Sequence, residues 1–304
     1  MKTVDELIFD GRNGNFLDNM TNSIEIFGKH IMTPDVMITE VQNRYVSIFC
    51  CYVASFALYI KELSKSYDTL DFLSINAIGR SAVECYAIAK FIYLNFNEDT
   101  NKLFQLIIAS DLKETSTLIT KYELEVQNKS NLLEQLNNNK NIFSDILHIF
   151  PNADEWLAND SLSHKDIVKK LKPVLKENNI AQSVCNSDGF LGVSKLVSYV
   201  LKTNDFFEII FNHKIEAEVY YDLMCSAAHN NYFNILKLFL SPDNFQFKVS
   251  LYPQHDEIFN KNSILKMLYA NFIDLLACLD EINACIYNIN KNPNCLFLPS
   301  KKFK

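Results

Sequence analysis

The scarcity of glycine and proline constrains the fold of this chain more than any other feature of its sequence. Its 304 residues include only 6 Gly and 7 Pro, whereas sheet-rich folds need many tight turns, in which these two residues are favoured. Hydrophobic residues make up 48% of the chain, which is enough to build a substantial core. We therefore predict an all-α fold: a bundle of long helices joined by few loops, with at most one short β-hairpin.

Apolar residues recur at helical spacing along most of the chain. The predicted helices cover residues 34–67, 70–95, 98–127, 142–150, 163–178, 190–202, 205–240 (with a break near 212) and 263–288. Residues 245–251 alternate apolar and polar side chains, which predicts a short half-buried strand.

The middle of the chain is its most polar and irregular part. We expect one helical domain over residues 1–304, with a core formed by 34–126 and 203–290. A less regular helical insertion over 127–202 interrupts this core. Its most polar and irregular part, residues 151–189, is interpreted as a solvated connection or as a lid.

Charge and cysteine usage narrow the class of protein. The net charge of -7 argues against nucleic-acid binding driven by bulk charge, but it allows a local basic pocket. No glycine-rich phosphate loop occurs. The 8 Cys include no C-x-x-C pair and no cluster with zinc spacing, so we expect reduced thiols, no metal site and no cofactor.

The N-terminus and the apolar runs bear on localisation. The first residues lack the basic region and apolar stretch of a signal peptide. The most apolar run, residues 46–60, is shorter than the ~20 residues that a membrane-spanning helix needs. We expect a cytoplasmic protein with no membrane partner.

Arg80 and Glu84 are the first candidate functional residues. They lie four residues apart in a predicted helix, on a face that is otherwise apolar. A buried guanidinium is costly unless it is paired, and Glu84 is the nearest partner. The five N–H donors of Arg80 leave capacity for a further acceptor.

Asp222, Ser226 and His229 are the other candidates, because they share one face of a later predicted helix. If this helix packs on that of Arg80 and Glu84, the side chains form one polar cluster. Imidazole transfers protons near neutral pH, and a guanidinium stabilises a charged phosphorane. We therefore predict these five residues as catalytic candidates for metal-independent RNA cleavage. Glu84 would orient Arg80, and Ser226 or Asp222 would fix the tautomer of His229.

Two other interpretations of the same residues stay open. The cluster can be a satisfied polar network between core helices, with no ligand. It can also be a metal site with Glu84, Asp222 and His229 as ligands. Helical bundles that hold metals with carboxylates usually show Glu-x-x-His pairs, which are absent here, and the charge of Arg80 would repel a cation.

The two segments resemble a group of uncharacterised bacterial helical proteins with an R-x-x-x-E helix and a later Y-x-x-x-[SC]-x-x-x-H helix. The matching residues are Arg80, Glu84, Tyr221, Cys225 and His229. This group is similar, more distantly, to the HEPN superfamily of helical nucleotide-binding and ribonuclease domains. The resemblance implies an RNA- or nucleotide-handling homodimer, a ribonuclease effector of a toxin or antiviral-defence system that acts with a partner protein.

The alternative is a non-enzymatic interaction or ligand-sensing module, in which the Arg-Glu-His cluster is structural or binds a small anion. HEPN ribonucleases usually carry their arginine and histidine in one R-x(4–6)-H stretch. No arginine in this chain is followed by histidine at that spacing, which favours the alternative.

Overall fold

The computed structural model describes seven parts of the chain. They are residues 40–65, 72–95, 164–177, 182–203, 215–228 and 261–291, together with the helical residues Leu106, Ile107, Ala109, Ser110 and Lys113. Within them, β pairing is limited to an isolated bridge between Cys185 and Leu191. The all-α prediction is confirmed for this part of the chain.

The longer described segments contain six α-helices. They are α1 (Glu40–Lys65), α2 (Phe72–Leu94), α3 (His164–Glu177), α4 (Val193–Thr203), α5 (Ile215–Ala228) and α6 (Lys261–Lys291), with a 3-10 turn over Gln182–Val184. Each corresponds to a predicted helix. The predicted helix over 142–150, the predicted strand over 245–251 and most of the predicted helix over 98–127 lie outside the described residues.

Contacts divide the chain into two compact units. The first unit comprises Met1–Asn97 and Val197–Lys304, and the second comprises Glu98–Leu196. The division falls inside α4. One domain with an insertion over 127–202 stays a prediction.

Helix α2 is the centre of the first unit and packs on α1, α5 and α6. Its sequence is apolar nearly all round, as expected for a helix enclosed by others. On α1, Phe56 places its ring centroid 6.1 Å from that of Tyr86 on α2 and 5.9 Å from that of Phe272 on α6. All three rings are fully buried.

Gly79 allows neighbouring helices to approach α2 closely. A Cβ at this position would lie 2.8 Å from Sδ of Met224 on α5 and 3.3 Å from Cγ2 of Ile264 on α6. Glycine inside a helix costs about 1 kcal/mol relative to alanine. The close packing on two sides explains why the small residue suits this position.

The second unit contains α3 and a tight loop before α4. Leu171 and Leu175 form the buried face of α3. In the loop, Gly189 has a φ of 87°, a left-handed conformation that glycine adopts without strain. Lys113 forms an ion pair of 2.8 Å with Asp188 and lies over the ring of Phe190.

Candidate functional site

Arg80 and Glu84 form an ion pair on α2. Because side chains four residues apart lie one above the other on a helix, Arg80 Nε donates to Glu84 Oε1 over 2.8 Å. The exposed fractions of the two side chains are 28% and 25%. The pair is therefore half-buried and in contact with solvent.

Tyr221 connects this pair to α5. Its hydroxyl donates to Glu84 Oε1 over 3.1 Å, while the residue as a whole is buried. Burial raises the pKa of Tyr221, and its hydrogen bond with Cys225 and the charge of Glu84 raise it further. The phenol thus stays protonated and acts as a donor to the carboxylate.

Cys225 completes what we call the Arg80 cluster, which comprises Arg80, Glu84, Tyr221 and Cys225. Burial raises the pKa of the Cys225 thiol, although Tyr221 and Arg80 act in the opposite direction. The hydrogen bond with Glu84 raises the pKa of Arg80. The cluster therefore holds one fixed positive charge, one carboxylate that orients it and a neutral thiol, an arrangement suited to contacting an anion.

The structure places the five predicted residues differently. Arg80 and Glu84 are in contact, as their spacing indicates. Asp222 is exposed and Ser226 is half-buried on α5, and the structure describes no hydrogen bond from either to the ion pair. His229 lies outside the described residues. The catalytic roles of all five stay predictions.

Tyr221 and Cys225 were part of the resemblance motif but were not among the predicted catalytic residues. They occupy positions i and i+4 of α5, and the two named from the same helix, Asp222 and Ser226, each follow one position later. One position rotates a side chain by about 100° around a helix. The buried ring of Tyr221, set beside exposed Asp222, identifies the face of α5 that meets α2.

A second polar group, which the sequence interpretation did not identify, joins α2 to α6. Lys90 Nζ lies 2.8 Å from Asp274 Oδ1, and the Tyr86 hydroxyl donates to Asp274 Oδ2 over 2.9 Å. Lys90 also donates to Cys278 Sγ over 3.4 Å. These four residues form what we call the Lys90 cluster. The sequence feature that could have revealed this cluster is a lysine and an aspartate that each lie inside a long apolar helix.

The Lys90 cluster is much less exposed than the Arg80 cluster. The side chains of Lys90 and Asp274 are 10% and 9% exposed. Burial lowers the pKa of Lys90, but the proximity of Cys278 and Asp274 outweighs it and raises the pKa overall. Burial is also the main reason that the pKa of the Cys278 thiol rises to about 12. Because this charged pair is enclosed by protein, we interpret it as a structural contact between α2 and α6 and not as a ligand-binding site.

Neither cluster has the composition of a metal centre. Among the residues that the structure describes, no group of three or more His, Cys, Asp and Glu side chains has the geometry to hold a metal ion. In the same residues, no helix is long and apolar enough to cross a membrane.

Comparison of the chain with protein-family models, with curated proteins and with solved structures finds no match.

Proposed function

We propose that this chain handles RNA or nucleotides through a phosphate contact made by Arg80. One observation carries the proposal: the Arg80 guanidinium is held in place by Glu84 and still has 28% of its side chain exposed. A guanidinium binds phosphate through parallel N–H donors, and fixing its orientation beforehand reduces the entropy lost on binding. Glu84, itself bonded to Tyr221, supplies that orientation.

In the catalytic form of the proposal, the reaction is metal-independent RNA cleavage. Arg80 stabilises the negative charge of the phosphorane. The ribose 2′-hydroxyl attacks the adjacent phosphorus and the P–O5′ bond breaks. His229 takes the proton from the 2′-hydroxyl and delivers it to the leaving 5′ oxygen, with Ser226 or Asp222 fixing its tautomer. Tyr221 donates to Glu84, which holds Arg80 Nε, so that the guanidinium keeps one orientation.

The biological setting is proposed from the resemblance to HEPN-like proteins. We propose a cytoplasmic homodimer that acts as a toxin or antiviral-defence effector, together with a partner protein of that system. In such an effector, release of ribonuclease activity would damage cellular RNA and arrest growth.

The test uses the purified full-length chain and a labelled single-stranded RNA. Arg80→Ala is expected to reduce cleavage by about 10²–10³-fold, the usual effect of removing one group that stabilises transition-state charge. Arg80→Lys keeps the charge but loses the fork of donors, so we expect it to restore only part of the activity. His229→Ala should be as inactive as Arg80→Ala.

Lys202→Ala is the matched control, because it also removes one positive charge from the first unit. The Lys202 side chain is 65% exposed and, among the described residues, its ion pair is a long surface contact of 3.3 Å with Glu218. Melting temperatures of all variants should stay close to that of the wild type. Cleavage and RNA binding that are unchanged in Arg80→Ala would refute the proposal.

A second candidate function follows from the position of Glu84 between two helices. Arg80 Nε and the Tyr221 hydroxyl both donate to Glu84 Oε1, so the carboxylate links α2 to α5. In this view the protein is a non-enzymatic interaction or ligand-sensing module, and the Arg80 cluster is structural or binds a small anion. Its signature would be a wild type without cleavage activity, together with a loss of about 1 kcal/mol of stability in Tyr221→Phe.

A further inference from the structure

Helix α3 is strongly basic, although the chain as a whole is acidic. It carries five lysines in 14 residues, against the two carboxylates Asp166 and Glu177. The complete chain has a net charge of -7. A local excess of positive charge of this kind attracts polyanions even where the bulk charge does not.

Four of these lysines occupy one face of the helix. Residues 165, 169, 172 and 176 are separated by four, three and four positions, and this spacing returns to the same side of an α-helix. At 1.5 Å per residue the four positions span about 16 Å along the axis, with successive positions about 4.5–6 Å apart. The spacing is regular, as it is between the phosphates of a nucleic-acid strand.

An adjoining face of α3 is buried in its own unit. Leu171 is fully buried and Leu175 is 5% exposed, whereas the Lys169 side chain is 76% exposed. Within the described part of the chain, Lys169 forms a loose surface pair of 3.5 Å with Asp166, and such pairs contribute little. Lys172 forms no ion pair with any other described residue.

We propose that the lysine face of α3, formed by positions 165, 169, 172 and 176, binds the phosphate backbone of single-stranded RNA. Phe, Tyr and Trp are absent from α3, so base stacking by these side chains does not contribute and the contact is independent of sequence. A membrane surface fits less well, because Leu171 and Leu175 are packed against protein and cannot enter lipid. The choice of RNA over other polyanions rests on the proposed function.

The experiment measures binding of a fluorescein-labelled oligouridylate to the full-length chain by anisotropy, across a series of NaCl concentrations. Each phosphate neutralised on a single strand contributes about -0.7 to the slope of log K against log salt, so four contacts give a slope of about -3. Affinity should then fall about 50-fold between ~50 and ~200 mM NaCl. Replacing all four lysines by Gln should remove this part of the slope and leave only the contribution of about -0.7 from the proposed Arg80 contact.

Two single substitutions provide a matched comparison. Lys172→Gln should make the slope shallower by about 0.7, and Lys202→Gln, which removes the same charge from α4, should leave it unchanged. Lys172→Gln also keeps the test valid if the fourfold variant does not fold, which circular dichroism would reveal.

Three results would overturn the proposal. They are a wild type that does not bind the oligouridylate, a fourfold variant with the wild-type slope, and a wild type that binds polyglutamate or phosphatidylserine vesicles more tightly than RNA. Failure of the Arg80 function gives a different result. In that case Arg80→Ala would leave cleavage and binding unchanged, while the contribution of α3 to the salt dependence would still be measured.

Discussion

Removing the carboxylate of Asp274 should be one of the most damaging single changes in the first unit. The ion pair between Lys90 and Asp274 joins α2 to α6, and its side chains are 10% and 9% exposed. Without the carboxylate, an ammonium group stays buried with no opposite charge, which typically costs about 3–5 kcal/mol. Because a domain is stable by only about 5–15 kcal/mol, we expect Asp274→Asn to lower the unfolding free energy by a large share of its total.

A compensated variant and an exposed pair serve as controls. Replacing both partners and the hydroxyl that donates to Asp274, as Lys90→Met and Asp274→Leu with Tyr86→Phe, removes the buried polar groups together and should be neutral or stabilising by about 1–4 kcal/mol. The pair between Lys113 and Asp188 has the same length of 2.8 Å, but both side chains are 30% exposed. Asp188→Asn should therefore cost less than about 1 kcal/mol.

The assay is urea unfolding followed by circular dichroism, with linear extrapolation to water, repeated from pH 7 to pH 11. In the wild type the pKa of Lys90 is raised above its ordinary value of 10.5, so its contribution to stability is complete below pH 10.5 and is lost above it. In Asp274→Asn, the Cys278 thiol stays neutral over this pH range because its pKa is about 12, so burial should lower the pKa of Lys90. That variant should therefore gain stability as the pH rises towards 10.5. A cost under about 1 kcal/mol, or a pH dependence identical to that of the wild type, would refute the reasoning.

Three further substitutions test the packing of the first unit, each by urea unfolding. Gly79→Ala places a methyl group 2.8 Å from Met224 Sδ. The overpacking should outweigh the gain in helix propensity, so that the variant loses about 1 kcal/mol of stability. A more stable variant would contradict the packing argument. Asn271 is fully buried, and neither polar atom of its amide has a hydrogen-bond partner among the described residues. Asn271→Leu should therefore stabilise the protein by about 1–3 kcal/mol. A lower free energy of unfolding in this variant would show that the amide is satisfied. Tyr93→Phe removes the hydroxyl that donates to Glu281 and should cost about 1 kcal/mol, and an unchanged midpoint would count against that bond.

Local geometry was the part of the structure that the sequence predicted well. The helical spacing of apolar residues predicted a helix over residues 70–95, and the structure has α2 over Phe72–Leu94. Arg80 and Glu84 were paired correctly because a helix fixes the distance between positions i and i+4. Both inferences depend only on the rise and rotation per residue within one helix.

Contacts between helices could not be predicted in the same way. Lys90 and Asp274 are 184 positions apart, and nothing in either helix alone indicates that the two side chains meet. On α5, the choice between the face of Tyr221 and that of Asp222 is a rotation of about 100°. The rotation of α5 is determined by the surface of α2, where Gly79 leaves space for Met224. The sequence pattern of α5 alone carries no information about that surface.

The roles of the two ion pairs of α2 can be tested independently by experiment, even though both pairs lie on one helix. The pair of Arg80 with Glu84 is exposed enough that it contributes about 0–1 kcal/mol, so its loss should leave the fold intact. The pair of Lys90 with Asp274 is enclosed, and breaking it should lower the free energy of unfolding by about 3–5 kcal/mol. If an Arg80 variant is stable but no longer cleaves or binds RNA, the loss reports on function. The pair that the fold depends on is that of Lys90 with Asp274.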